Sequence, residues 1–127
     1  VARLGNRFGN KGTLIDVFGN AKKYKNNPDF EHVSESMRVA GLERDILLRR
    51  EHYFETLNLL LSQGFYPHNT VIIGDIFELD LALPIHMGYN GLQMETQGTQ
   101  PHERRYHLHH RRSALVSSFD EALQALD

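Results

Sequence analysis

Two carboxylates five positions apart, Asp75 and Asp80, are the side chains of this sequence best suited to chemistry. They lie in Thr70–Asp80, TVIIGDIFELD, where a β-branched run passes through Gly74 into the first aspartate. Hard divalent cations take oxygen ligands, and Mg²⁺ is typically held by one or two carboxylates together with substrate phosphates. Two aspartates at one turn therefore make a candidate Mg²⁺ site for a phosphate-bearing substrate. The same pair also fits a plainer role, with Asp75 capping a turn and Asp80 capping a helix.

The elements that must position the pair can be read from the flanking residues. Val71, Ile72 and Ile73, bounded by turn formers, predict a short buried strand of the parallel kind. Gly74 frees the backbone where that strand ends and puts Asp75 at its carboxyl edge, where open α/β sheets bind ligands. Glu78 to Met87 predicts a helix with Asp80 in its first turn, broken near Leu83 by Pro84.

The pattern strand–GD–x4–D, continued by LALPIHMGYNGLQM, resembles the fourth motif of the haloacid dehalogenase-like (HAD) hydrolases. The resemblance implies an α/β fold, a Rossmann-like three-layer parallel sheet with flanking helices, of which residues 43–127 form a portion. It implies a Mg²⁺-dependent phosphatase or phosphohydrolase acting on a phosphorylated small molecule, with Asp75 and Asp80 holding the metal and Gly74 admitting the backbone to the site. In that family a lysine about 25 residues before the GD neutralises the substrate phosphate. Arg50 stands 25 residues before Asp75, so the position fits while the residue type departs. Arginine binds phosphate bidentately but does not replace a lysine point charge. Its other reading is a side chain snorkelling from a helix to water.

The family nucleophile would be the first aspartate of an Asp-x-Asp pair ending a strand, the second serving as acid and base. No Asp-x-Asp occurs in the 127 residues. The string Lys11–Asp16 resembles only the tail of that motif, with Gly9 and Lys11 where the aspartates belong. The Val1 start and the small number of strands predict that the nucleophile strand lies on sequence outside this chain; an inactive relative is the alternative. A sheet without that strand exposes an edge, so pairing with a second copy is expected.

Composition sets the outer limits. A chain of 127 residues with 40% hydrophobic and 24% charged side chains is one ordinary globular domain. Absence of cysteine excludes disulfides and thiolate chemistry and is compatible with a cytoplasmic protein. A net charge of −2 gives no general attraction to nucleic acid, and no run is apolar enough to span a membrane.

Residues 1–42 are the least readable and fit a remnant of a cap or upstream core, with strand character only at Thr13–Phe18. A short helix is expected over 29–41, capped by Asp29, with Phe30, Val33, Met37 and Ala40 on one face. The longest helix is expected over Glu43–Gln63, its apolar face carrying Leu47, Phe54, Leu57 and Leu61, with Arg50 on that same face. Gly91–Glu95 and Ala114–Val116 predict two further strands. Ser118–Glu121 is a capping box opening a last helix with Phe119, Ala122, Leu123 and Leu126 buried.

Between the last two strands, Thr96–Ser113 reads as a loop rich in histidine and arginine. His107, His109 and His110 lack a regular spacing for Zn²⁺ or Ni²⁺. A basic loop with Tyr106 as a stacking platform would suit RNA, and a solvated surface loop needs no ligand at all. A second class of function follows from it: a non-catalytic module, or an inactive HAD relative, that binds RNA or protein through residues 101–112. Steep salt dependence of binding would mark that class.

Overall fold

The computed structural model describes residues 21–126. Thr13–Phe18 and the string Lys11–Asp16 lie outside the described residues. Successive elements are β1 (Ser36–Met37), β2 (Ile46–Leu47), α1 (Glu51–Ser62), β3 (Val71–Gly74), α2 (Ala82–His86), β4 (Asn90–Met94), α3 (Pro101–His109), β5 (Ser113–Val116) and α4 (Phe119–Leu126). A 3-10 turn, Pro67–Asn69, leads into β3, and a π-type turn, Phe77–Leu81, leads out of it.

β3, β4 and β5 form a parallel sheet in that order, with Ile73 beside Leu92 and Leu92 beside Ala114. Parallel neighbours need a crossover, and the segments through α2 and α3 supply the two. The class expected from the sequence, a parallel α/β fold, is what the described residues form. β1 and β2 make a separate antiparallel pair.

Side-chain alternation decides what each face of the sheet meets. Leu92, Ala114 and Val116 pack with Ala122 and Ala125 of α4, joined by Val71 and Met94. On the opposite face stand Ile72, Gly74, Gly91, Gln93 and Ser113, the register carrying Gly74 beside Gln93. That side meets Leu81, Ala82, Ile85 and Phe77, which bury Val39, Ile46 and Leu48 from the β1–β2 segment. α1 lays Tyr53, Leu57 and Leu60 against Leu83 and Tyr89. Helices thus lie on both faces, as a parallel sheet requires.

Three expected elements take other forms. Residues 29–41 are turns and the two residues of β1 rather than a helix. Asn27, not Asp29, organises that segment: its side-chain oxygen accepts the Asp29 N–H at 3.1 Å, and its carbonyl accepts the Phe30 N–H. Such local side-chain bonds compete with helix. The helix expected from Glu43 begins only at Glu51, because Ile46, Leu48 and Arg50 are buried while Leu47 is 40% exposed. That is a period of two, hidden in the sequence by an outward-facing leucine.

The third is the Thr96–Ser113 loop, most of which is α3. Gln100 and Glu103 form a reciprocal capping box there, with Pro101 in the first turn. In α4 the expected helix is present, but its buried stripe is Ala122 and Ala125; Phe119 and Leu123 are exposed.

Candidate functional site

β3 delivers Asp75 to its carboxyl end, where the residue is exposed. Asp80, in the π-type turn, folds back beneath it: one carboxylate oxygen, Oδ2, accepts the N–H groups of Asp75 and Ile76, each at 3.0 Å. The Asp80 N–H in turn donates to the Ile76 carbonyl at 2.8 Å. This return requires Gly74, since a Cβ there would lie 2.6 Å from Asp80 Oδ2. Asp75 and Asp80 are therefore brought together as the sequence predicts, though in different states. Asp80 is buried and fully engaged, whereas the Asp75 carboxylate has no hydrogen-bond partner among the described residues.

Pro84 shapes the same turn. It has no N–H to offer the Asp80 carbonyl four residues earlier, and the Tyr53 hydroxyl donates to that carbonyl instead, at 2.5 Å. Burial, with Asp80 and Tyr89 adding to it, raises the Tyr53 phenol well above its ordinary range, so it stays a donor.

The cation beside Asp80 is Lys23. Its ammonium lies 2.8 Å from Asp80 Oδ1, is partly exposed, and rests 5.3 Å from the centre of the Tyr53 ring. Arg50 lies behind it as the N-cap residue of α1 rather than on the helix face. Nε of Arg50 donates to the Leu47 carbonyl at 3.0 Å, one terminal nitrogen to the Lys23 carbonyl at 2.8 Å, and the other lies 3.7 Å from Glu78. Burial lowers the Arg50 pKa, Glu78 acting in the opposite sense. Glu78 itself is grasped by both terminal nitrogens of Arg44, and that hydrogen bond holds its carboxyl below the usual range. Arg50 therefore fixes the backbone that presents Lys23, and Lys23 is the cation that pairs with Asp80 among the described residues.

A buried polar chain meets the turn from the α3 side. Glu103 Oε2 accepts the Phe77 N–H at 2.9 Å and the Gln93 amide at 2.8 Å; Oε1 accepts the Gln100 N–H at 2.8 Å. The same Gln93 amide nitrogen donates to the Asp75 carbonyl at 3.2 Å. His107 Nε2 lies 2.7 Å from Gln93 Oε1, and Nδ1 lies 2.8 Å from Ser113 Oγ. Both Gln93 N–H groups are already donated, so its oxygen must accept. His107 then carries its proton on Nε2 and takes the Ser113 hydroxyl proton at Nδ1. Burial pushes the imidazole down to about 4, the nearby Glu103 opposing that and His110 adding to it.

Elsewhere in the histidine- and arginine-rich segment, Arg112 turns inward and donates to the Ile85 and Tyr89 carbonyls at 3.1 and 2.8 Å. Arg104, Arg105, His109 and Arg111 are exposed, and Arg104 pairs with Glu95. The Tyr106 ring is already stacked on His110, 4.9 Å between centres, and leans on Phe77. Burial raises its phenol to about 12. A cavity of about 600 Å³ beside His32, Arg49 and His86, and one of about 390 Å³ between Val39 and His110, include neither Asp75 nor Asp80. Asp75 instead opens directly to solvent.

The donor chemistry at the turn fits Mg²⁺. Among the described residues no three His, Asp or Glu side chains are grouped to hold a metal by themselves. A cation at Asp75 would complete its shell with water and substrate oxygens, which is the habit of Mg²⁺. The remaining Asp80 oxygen, Oδ1, is held by the Lys23 ammonium at 2.8 Å, so a cation there would have to share it with Lys23 or displace that ammonium.

Lys23 carries no signal in the sequence, since it sits in a lysine-rich turn 57 residues from its partner. Glu103 does have one, the Gln-Pro-x-Glu opening of α3. In comparisons with known proteins, no family model, curated protein or solved structure matches the chain.

Proposed function

We propose that this chain forms the metal-binding part of a HAD-like, Rossmann-type Mg²⁺-dependent phosphohydrolase acting on a phosphorylated small molecule. The observation that carries the reading is the turn after β3. There an exposed Asp75, its carboxylate without a partner among the described residues, is held over a buried Asp80, with the Lys23 ammonium 2.8 Å from the second carboxylate. Strand-end carboxylates beside a cation are what a phosphate group and its metal need.

On this reading Asp75 and Asp80 Oδ1 hold Mg²⁺, which when bound polarises a phosphoryl oxygen. Lys23 neutralises substrate charge, and Arg50 acts through the Lys23 carbonyl that it holds. Asp80 orients Asp75 by gripping its N–H, and Gly74 leaves room for that grip. The attacking group is not among these residues, since no Asp-x-Asp pair occurs in the sequence.

The test is Mg²⁺-dependent binding of inorganic phosphate by the polypeptide, with Asp75→Asn alongside. Phosphate binding that requires Mg²⁺ and disappears in the variant supports the reading. Phosphate binding that ignores the metal or the substitution, or no binding with Mg²⁺ present, contradicts it.

A further inference from the structure

The backbone of residues 75–77 is held from two sides, and the second side has no counterpart in the sequence motif. Asp80 takes the N–H groups of Asp75 and Ile76 from below. Gln93 donates to the Asp75 carbonyl and Glu103 accepts the Phe77 N–H from the α3 side. The Ile76 carbonyl is taken by the Asp80 N–H. Of the polar groups that Asp75 and Ile76 carry, the Asp75 carboxylate alone has no partner among the described residues.

The groups that make this second grip are costly to bury. Gln93 and Ser113 are 0% exposed, His107 5% and Glu103 6%. A buried carboxylate, amide and imidazole are tolerated when every donor finds an acceptor, and an apolar core of the same shape is often at least as stable. Their directed arrangement leaves a single orientation for the Gln93 amide: the Asp75 carbonyl and the Glu103 carboxylate can only accept, so its nitrogen must face them and its oxygen the imidazole. Sheet register makes the reach short, because Gln93 lies beside Gly74 on the neighbouring strand.

We propose that Gln93 and Glu103, oriented through His107 and Ser113, are positioning residues that lock the 75–77 turn and so preorganise the Asp75 carboxylate for its cation. This rests on the metal reading given above for its ligand, but the clamp itself can be measured without one. Groups that hold a metal ligand from behind typically change metal affinity 10–100-fold when removed.

The experiment uses the full chain with Mg²⁺ as the probe. Gln93→Leu removes the donor to Asp75, and Glu103→Gln sets an amide where three N–H groups, of Phe77, Gln93 and Gln100, need acceptors; either suffices if the other fails to fold. Ala125→Gly, on the opposite face of the sheet, is a destabilised control that leaves the clamp intact. Calorimetric Mg²⁺ affinity and NMR amide exchange at Asp75, Ile76 and Phe77 are followed together. The expected result is 10–100-fold weaker Mg²⁺ binding in the two clamp variants, with at least tenfold faster exchange of the Phe77 amide. The control should lose melting temperature but bind Mg²⁺ as the wild type does. Wild-type affinity in both clamp variants, or equal weakening in the control, overturns the inference while leaving the metal reading standing. A wild type indifferent to Mg²⁺ sinks the metal reading and the preorganising role with it. Phe77 exchange unchanged in Gln93→Leu and Glu103→Gln would then refute the clamp as well.

Discussion

Acid should unfold this protein through His107 before most of its carboxylates titrate. The imidazole is 5% exposed, donates from Nε2 to Gln93 and accepts at Nδ1 from Ser113. Burial holds its pKa near about 4 in the fold, against about 6.5 in an unfolded chain. The folded value is depressed, so the unfolded state binds the proton first as the pH falls. Its contribution to stability is complete above about pH 6.5 and is lost as the pH drops toward 4, at up to about 1.4 kcal/mol per pH unit. The full span is on the order of 3 kcal/mol, equivalent to roughly 10 °C or more in melting temperature for a domain of this size. Urea unfolding followed by circular dichroism at several pH values between 7 and 4.5 measures the slope. His107→Gln keeps one donor and one acceptor but cannot titrate, so it should be less stable at pH 7 and flatter with pH. Identical slopes for the two proteins would refute the reasoning.

Other perturbations act on the turn itself. Gly74→Ala drives a methyl group into Asp80, and the overpacking should destabilise by about 1–3 kcal/mol in chemical denaturation. Tyr53→Phe leaves the buried Asp80 carbonyl without the donor now 2.5 Å away; a loss of about 1–3 kcal/mol is expected by the same assay. Lys23→Met frees Asp80 Oδ1 of its ammonium partner, so calorimetry should find Mg²⁺ bound more tightly and inorganic phosphate less tightly than in the wild type.

Legibility of the fold followed how locally each signal was written. β3 and β5 are β-branched or aliphatic runs between turn residues, and the start of α4 is marked by Ser118, whose hydroxyl accepts the Glu121 N–H at 3.1 Å. The β1–β2 segment was hidden because Leu47 is apolar yet faces water, which turns an alternating pattern into an apparent helical one. α3 was hidden by its composition: few of its side chains are apolar, and it is anchored instead by Glu103 and His107 bonding into the sheet. At the site, Asp75, Asp80 and Gly74 could be read because they share one turn. Lys23 and Gln93 could not, because each reaches that turn from a distant part of the chain, and the Gln-Pro-x-Glu signal at Glu103 marks the start of α3 but not its bond to the Phe77 N–H. Arg50 stands at the spacing at which the resemblance expects a phosphate-binding cation, but in the structure its guanidinium is buried and holds the Leu47 and Lys23 carbonyls.

The central claim is that Asp75 and Asp80 bind a divalent cation. Isothermal titration of the wild-type chain and Asp75→Asn with Mg²⁺ tests it most directly. The account predicts saturable binding of one ion per chain that vanishes in the variant while the fold is retained. Absence of binding in the wild type, or equal binding by both proteins, would contradict it.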